Sequence, residues 1–255
     1  MKRAATALVL MPVILSVVFL APGWLVLGVA AIVAVICFRE YCGIAEAYQI
    51  GRLGPVGYGA GLLLLVESGQ TLPLMTALAL AALAVSLRLA DLTKVLPRAA
   101  ALVLGVLYVF GPWKFAVLLR AQSPHWLAYA LLLTWAGDML AYHVGKRIGR
   151  HKMAARVSPG KSWEGAVASM AGSLVVGYGY LAWFLPLAPP LAAVALTAAA
   201  NAAGQIGDLA ESALKRGAGV KDSGALLPGH GGLLDRVDST LFTLPVVYVL
   251  MNLAR

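Results

Sequence analysis

Long apolar segments recur along the whole chain, with only short polar segments between them. Each approaches the roughly 17–25 residues that an α-helix needs to cross the hydrocarbon core of a bilayer. Hydrophobic residues make up 61% of the 255 residues and the mean hydropathy is +0.84, whereas soluble domains are only about 45–50% apolar. The segments lack the short alternation of apolar and polar residues that is typical of membrane β-barrels. The sequence therefore predicts an all-α, polytopic integral membrane protein.

We predict nine transmembrane helices from these segments. They lie at about residues 5–20, 22–38, 53–67, 71–87, 99–119, 125–144, 164–184, 189–207 and 236–253. The third segment is short and contains Gly54, Gly57, Gly59 and Gly61, which favours a closely packed or partly re-entrant helix. Eight full crossings are therefore the alternative.

The distribution of basic residues predicts the orientation, because Lys and Arg concentrate in loops that stay in the cytoplasm. With nine helices and a cytoplasmic N-terminus, only Lys114, Arg120 and Arg255 of the 20 basic residues fall outside. This split predicts a protein of a bacterial-type inner membrane whose polar C-terminal block, residues 208–238, faces the cytoplasm.

The chain carries a net charge of +9 and a pI near 9.8. These values could indicate a nucleic-acid partner, but the basic residues flank apolar segments and do not form a soluble basic face. We therefore expect membrane lipid and anionic metabolites as partners, and no nucleic acid. A homodimer is compatible with the sequence.

The two halves of the chain differ in their acidic residues. Helix packing and lipid contact are enough to explain the four acids of residues 1–120, which are Glu40, Glu46, Glu67 and Asp91. All seven remaining acids lie at or near predicted cytoplasmic helix ends: Asp138, Glu164, Asp208, Glu211, Asp222, Asp235 and Asp238. We therefore predict an N-terminal transmembrane scaffold, 1–120, and a C-terminal catalytic half, 121–255.

The polar block begins at the end of the eighth apolar segment. If that helix continues past the membrane surface, four polar residues share one face, at i, i+3, i+4 and i+7. They are Asp208, Glu211, Ser212 and Lys215. The face could form part of a site, or it could be an interfacial stripe whose charges pair with one another.

Glycines and acids complete the block. In the segment from Pro228 to Gly232, glycines would let backbone N–H groups approach a phosphate, although an ordinary surface turn uses similar residues. Asp235 and Asp238 share a face at the start of the last helix, where they could cap the helix or bind Mg²⁺. Asp208 and Asp235, on opposite sides of the loop, could hold a metal ion between them.

A second polar region lies upstream. Asp138 lies near the end of the sixth apolar segment and is followed by a basic, glycine-spaced tail, residues 145–152. At the start of the seventh helix, capping explains Ser162 and Glu164 but leaves Lys161 free for a phosphate. The histidines and cysteines have no zinc-ligand spacing, and there is no P-loop or dinucleotide fingerprint.

Three motifs can be compared with a known family. The polar block contains Ser212, Leu214, Lys215, Arg216, Lys221, Asp222, Pro228, His230, Gly231, Gly232, Asp235, Arg236 and Asp238 at fixed spacing. This pattern resembles the signature of the phosphatidate cytidylyltransferases, also called CDP-diacylglycerol synthases. Two weaker motifs run from Asp138 to Tyr142 and from Ser158 to Gly165. They depart from the family pattern at Met139, Leu140 and Gly160.

The resemblance implies that CTP is condensed with phosphatidic acid to give CDP-diacylglycerol and pyrophosphate, with Mg²⁺. A pair of cations is the alternative to a single Mg²⁺. The implied metal ligands are Asp208 and Asp235, with Asp238 and Asp138 as further ligands or orienting residues. The implied catalytic residues are Asp208, Lys215, Arg216, Lys221, Asp222, His230, Asp235, Arg236 and Asp238. The implied substrate-binding residues are Asp138, Tyr142, Ser158, Lys161, Glu164, Ser212, Gly231 and Gly232.

Two other functions fit parts of the sequence. A CTP-dependent lipid-alcohol kinase would transfer the γ-phosphate of CTP to a hydroxyl group and release CDP. A membrane transporter could account for charged residues at helix ends. However, a conduction path usually places ionisable groups near the middle of the membrane, where this chain has few.

Overall fold

The computed structural model of the chain describes residues 2–185, 190–226 and 231–253, with side chains from residue 10 onward. Within these ranges the chain forms nine α-helices and one short β-hairpin. The helices are α1 (Lys2–Leu20), α2 (Gly23–Ala47), α3 (Pro55–Val66), α4 (Thr71–Ser86), α5 (Val95–Gln122), α6 (Pro124–Ile148), α7 (Trp163–Phe184), α8 (Pro190–Gly217) and α9 (Leu234–Leu253). A 3₁₀ turn, Leu92–Lys94, precedes α5. The predicted all-α fold is confirmed.

Each predicted apolar segment coincides with one of these helices. Among the described residues, three segments are long and apolar enough to cross a membrane: Gly23–Ala47, Leu92–Gln122 and Trp163–Phe184. They support an integral membrane protein. The number of crossings, nine or eight, and the cytoplasmic N-terminus remain predictions.

The β-hairpin between α6 and α7 is absent from the sequence prediction. Its strands β1 (Lys152–Ala154) and β2 (Ser158–Ser162) pair antiparallel, with Lys152 opposite Ser162. The sequence of β2, Ser-Pro-Gly-Lys-Ser, contains residues that are depleted in strands. The intrinsic preferences of these residues therefore do not predict a strand at positions 158–162.

The described chain forms two compact units from alternating stretches. Unit 1 contains residues 1–26, 115–213 and 237–255, and unit 2 contains 27–114 and 214–236. The boundary falls within α2, α5, α8 and α9. The predicted division at residue 120 concerns function and remains a prediction.

In unit 1, small and polar residues allow close packing of apolar helices. A Cβ atom on Gly165 of α7 would lie 2.8 Å from the carbonyl oxygen of Ala141 on α6. Deeper in the unit, the Asn201 amide donates to Ser169 at 3.0 Å and to Ser173 at 2.8 Å. Small residues and such hydrogen bonds commonly hold membrane helices together.

In unit 2, aromatic rings pack against the short helix α3. Phe38 lies 5.4 Å from Phe110 between ring centroids, and both residues are fully buried. Gly57 faces Phe38 and Gly61 faces Phe110 so closely that neither glycine leaves room for a Cβ atom. The close packing predicted for the third apolar segment is confirmed.

Candidate active site

Four acids in unit 1 form what we call the carboxylate cluster: Asp138 on α6, Asp208 and Glu211 on α8, and Asp238 on α9. Asp238 lies within electrostatic range of the other three, and Asp138 lies within range of Asp208. Glu211 is fully buried. Negative charge is therefore concentrated where three helices meet.

Gly207 allows α8 and α9 to approach each other at this cluster. A Cβ atom at this position would lie 2.7 Å from the carbonyl oxygen of Asp238 and 2.8 Å from the ring of Phe242. Both distances are shorter than real Cβ contacts, so glycine is required for this packing. The next residue along α8 is Asp208, and the close crossing brings it near Asp238.

Asp138 is exposed and lines a small cavity of about 10 Å³. The other lining residues are mainly polar and include Ser169, Asn201, Gln205 and Ser239. A cavity of this size holds about one water molecule. Asp138 is therefore both accessible to solvent and in contact with a polar cavity.

Lys161 forms an ion pair with the cluster. Its Nζ atom lies 2.7 Å from Oδ2 of Asp208, and the two side chains are 24% and 33% exposed. The hairpin strand β2 carries Lys161 to this position. Since partly exposed pairs contribute only about 0–1 kcal/mol, a ligand could replace either partner at little cost.

The donor atoms of the cluster suit Mg²⁺. Among the described residues, no group of three Asp, Glu, His or Cys side chains is arranged to enclose a metal ion. Mg²⁺ rarely needs such a cage, because it usually binds one or two carboxylates together with substrate phosphates and water. The carboxylates of Asp138, Asp208 and Asp238 provide hard oxygen donors and an excess of negative charge.

Asp235 belongs to a different environment, in unit 2. Its carboxylate pairs with Lys215 and accepts hydrogen bonds from the backbone N–H groups of Gly232 at 2.8 Å and Ser223 at 3.1 Å. Burial raises the pKa of Asp235, but the hydrogen bonds from Lys215 and Gly232 outweigh it and hold the pKa below its ordinary value. The joint metal site predicted for Asp208 and Asp235 remains a prediction.

Glu40 on α2 is the residue that sequence reasoning missed. Its buried carboxylate accepts hydrogen bonds from the N–H groups of Leu233 at 2.9 Å and Leu234 at 2.7 Å, and from the hydroxyl of Ser223 at 3.0 Å. Helix packing and lipid contact were the predicted explanation for this acid. The available signal was a carboxylate just past the end of the second apolar segment, since charged residues beside membrane helices are often functional or specifically paired.

We call the described residues between α8 and α9, 218–226 and 231–233, the connecting loop. His230 and Pro228, both part of the predicted phosphate loop, lie outside the described residues. Gly231 has a φ of +78°, and a Cβ atom there would lie 2.5 Å from Oδ2 of Asp235. Glycine is therefore required at this turn. Gly232 supplies one of the N–H groups that bind Asp235.

The predicted cations around this loop have different surroundings. Lys215 is buried against Asp235, whereas Arg216 is exposed and donates to the carbonyl oxygen of Val220 at 3.2 Å. Lys221 and Arg236 are exposed. The acid Asp222 is exposed as well.

The predicted polar face of α8 is confirmed as helical, since α8 runs to Gly217. Ser212 on this face donates to Asp208 over 3.4 Å. However, the ion-pair partners of Asp208 and Lys215 come from other elements of the fold, namely Lys161 and Asp235. The face is therefore more than a stripe of charges paired among themselves.

The upstream motifs have mainly local contacts. The hydroxyl of Ser162 accepts from the N–H group of Gly165 at 3.2 Å, which confirms the predicted helix cap. Glu164 lies 2.7 Å from Nδ1 of His151. Ser158 begins strand β2, and Tyr142 is exposed beneath the Lys146 ammonium group.

The three departures from the family pattern are two exposed residues and one residue packed between helices. Met139 and Gly160 are exposed. Leu140 lies against Gly172 of α7, so this departure contributes to packing between α6 and α7.

Comparison of the chain with known protein families identifies the family to which it belongs. The model of the Cytidylyltransferase family matches residues 1–254. The chain belongs to this family. The resemblance predicted from the polar block is confirmed, and the match also includes the first 120 residues, which contain none of the three motifs.

Relatives in the cytidylyltransferase family support the assignment. A phosphatidate cytidylyltransferase of Pseudomonas aeruginosa is 35% identical over 266 residues, which covers 98% of this chain and 96% of that protein. A phosphatidate cytidylyltransferase of Staphylococcus aureus is 38% identical over 161 residues, which covers 60% of this chain. That alignment spans 59% of the staphylococcal protein, less than two thirds of its length.

Proposed function

We propose that the chain transfers the cytidylyl group of CTP to phosphatidate. An oxygen of the phosphatidate phosphate attacks the α-phosphorus of CTP, the bond from that phosphorus to the bridging oxygen breaks, and pyrophosphate leaves. CDP-diacylglycerol is the lipid product. The observation that carries this proposal is the grouping of Asp138, Asp208 and Asp238 within the carboxylate cluster. The chain that carries it is 35% identical to a phosphatidate cytidylyltransferase over 98% of its length.

The nucleophile explains why the site needs no activated serine or cysteine. The phosphatidate phosphate is already an anionic oxygen, so the main tasks are to position two phosphates and to neutralise their charge. We therefore assign no covalent role to any residue.

For Mg²⁺ we propose Asp208 and Asp238 as ligands, with Asp138 as a further ligand or an orienting residue. Mg²⁺ would withdraw charge from the phosphate oxygens and so favour attack at the α-phosphorus. Because Asp235 is already engaged by Lys215 and two backbone N–H groups, we propose that it organises the connecting loop instead.

For the phosphates we propose Lys161 and Lys221 as binding residues. Lys161 already lies beside Asp208 at the cluster, and the exposed Lys221 lies at the start of the connecting loop. Arg216 and Arg236 keep the phosphate-binding role implied by the family resemblance. The basic residues predict that this chemistry occurs at the cytoplasmic face of the membrane, and we propose that this membrane is a bacterial-type inner membrane.

The test uses CTP labelled at either the α- or the γ-phosphorus, with purified protein in detergent, phosphatidate and Mg²⁺. Cytidylyl transfer places the α-label in the lipid product and the γ-label in pyrophosphate. A lipid-alcohol kinase would instead place the γ-label in lipid, and a transporter would label no lipid. Either of the last two results would contradict the proposed function.

A further inference from the structure

Glu40 and the connecting loop are far apart in sequence but form one hydrogen-bonded assembly within unit 2. Glu40 Oε1 accepts from the Leu233 N–H group, and Oε2 accepts from the Leu234 N–H group and the Ser223 hydroxyl. The distances are 2.9, 2.7 and 3.0 Å. Glu40 is only 8% exposed, so water contributes little to the solvation of its carboxylate.

The two backbone donors lie at the beginning of α9, whose first residue is Leu234. The first N–H groups of a helix have no partner within the helix, and a negative charge is favoured at that end. A side chain of the loop itself normally supplies such a cap. Here Glu40, on helix α2, supplies it.

The loop backbone is also packed tightly around this carboxylate. A Cβ atom on Gly224 would lie 2.8 Å from Glu40 Oε1, and one on Gly232 would lie 2.5 Å from Oε2. Neither position has room for a side chain while Glu40 is in place. The fit between the acid and the loop is therefore specific in shape as well as in hydrogen bonding.

Ser223 joins Glu40 to the second acid of the assembly. Its hydroxyl donates to Glu40, and its backbone N–H group donates to Asp235 at 3.1 Å. The two carboxylates together hold the chain at Ser223 and again at residues 232–234. Lys221, the proposed phosphate-binding residue, lies two positions before the first of these points.

We infer that Glu40 is a positioning residue that holds the connecting loop in the conformation needed to bind substrate phosphates. This role rests on the function proposed above. It assigns a task in catalysis to a residue of the half that was predicted to be scaffold.

The test is Glu40→Gln, which keeps the size of the side chain. One oxygen becomes an NH₂ group, which cannot accept a hydrogen bond, and the negative charge is lost. We expect kcat/KM for CTP to fall about ten- to a hundredfold, as for loss of a charged hydrogen bond. Most of the loss should come from a higher KM. Deuterium exchange at residues 231–240 should become faster in the full-length protein without substrate.

The matched control is Glu46→Gln on the same helix. Glu46 pairs only loosely with the exposed Arg52, at 3.5 Å, and it has no proposed role. This variant should retain the KM and the exchange rates of the wild type. A Glu40 that served folding alone would reduce the amount of active enzyme and leave KM unchanged, and that result would overturn the inference.

A double-mutant cycle gives a second readout. Because the Ser223 hydroxyl donates to Glu40, the effects of Ser223→Ala and Glu40→Gln on kcat/KM should not add. Additive effects would contradict coupling between the two residues. If the wild type makes no CDP-lipid, the proposed function fails, and loop exchange alone then decides whether Glu40 holds the loop.

Discussion

The carboxylate cluster of unit 1 differs in its surroundings from Glu40 and Asp235, the two acids that bind the connecting loop in unit 2. In the cluster, Asp138, Asp208 and Asp238 lie within range of each other's negative charge, and Lys161 forms an ion pair with Asp208. At the connecting loop, Glu40 and Asp235 each accept hydrogen bonds from several protein donors.

This difference separates two uses of a carboxylate. An acid whose oxygens accept hydrogen bonds from backbone N–H groups stabilises one conformation of the chain. The reason is that these fixed donors offset the free-energy cost of removing the carboxylate from water. Acids held near one another are mutually repelled until a cation binds. We therefore expect substitutions in the cluster to reduce activity, and substitutions in the loop to reduce stability as well.

The largest expected effect is on activity, from Asp208→Asn or Asp238→Asn. Removing a ligand of Mg²⁺ should lower kcat about a hundred- to a thousandfold, comparable to the loss of a key electrostatic group. The Mg²⁺ concentration for half-maximal activity should rise. The melting temperature should stay the same or increase, because repulsion within the cluster is relieved.

The control for this prediction is Asp91→Asn, since Asp91 caps only a 3₁₀ turn through Thr93 and Asn is an equally good cap. It should leave both activity and melting temperature unchanged. Full activity in Asp208→Asn at low Mg²⁺ would remove Asp208 from the metal site.

The second effect is on stability, from Asp235→Asn. This change leaves the buried Lys215 ammonium without its carboxylate and weakens acceptance from Gly232. Removing one partner of a buried pair costs about 3–5 kcal/mol, so the melting temperature in detergent should fall clearly. Asp222→Asn, in the connecting loop and exposed, should change stability by less than about 0.5 kcal/mol. Equal melting temperatures for the two variants would show that the buried Asp235 stabilises the protein no more than the exposed Asp222 does.

The helices were predictable because long apolar segments have few alternatives to helix in a membrane. The extension of α8 to Lys215 and the cap by Ser162 also followed from local patterns, namely helical spacing and a Ser before the first turn. These features depend on residues that are near one another in sequence.

The rest of the site depends on contacts that leave no local pattern. Glu40 binds backbone N–H groups about 190 residues away, and every non-proline residue carries such a group. The ion pair of Lys161 with Asp208 depends on a hairpin built from poor strand formers. The sequence therefore predicts Asp208 and Lys161 as site residues but does not predict the ion pair between them.

A third, smaller effect tests the helix crossing beneath the cluster. In Gly207→Ala, the new methyl group would meet the carbonyl oxygen of Asp238 and the ring of Phe242. Overpacking of this kind costs about 1–3 kcal/mol, and activity should fall because Asp208 moves relative to Asp238. Gly179→Ala on α7 is the matched control, since nothing lies within 4 Å of its Cβ position. A Gly207→Ala variant as stable and active as Gly179→Ala would show that the crossing tolerates a wider spacing.

The smallest effect is a pH dependence confined to the connecting loop. The pKa of Asp235 lies below its ordinary value of 3.8, so its ionised form stabilises the folded loop. That contribution is fully present above the unfolded-state pKa and is lost as the pH falls through the folded-state pKa. The difference in melting temperature between wild type and Asp235→Asn should thus stay constant from neutral pH down to about pH 5 and shrink only below the ordinary carboxyl pKa. A difference in melting temperature that already disappeared between about pH 6 and pH 5 would contradict this prediction. It would mean that burial outweighs the hydrogen bonds from Lys215 and Gly232, so that the folded-state pKa of Asp235 is raised. The contrast between the two regions would then fail at this residue.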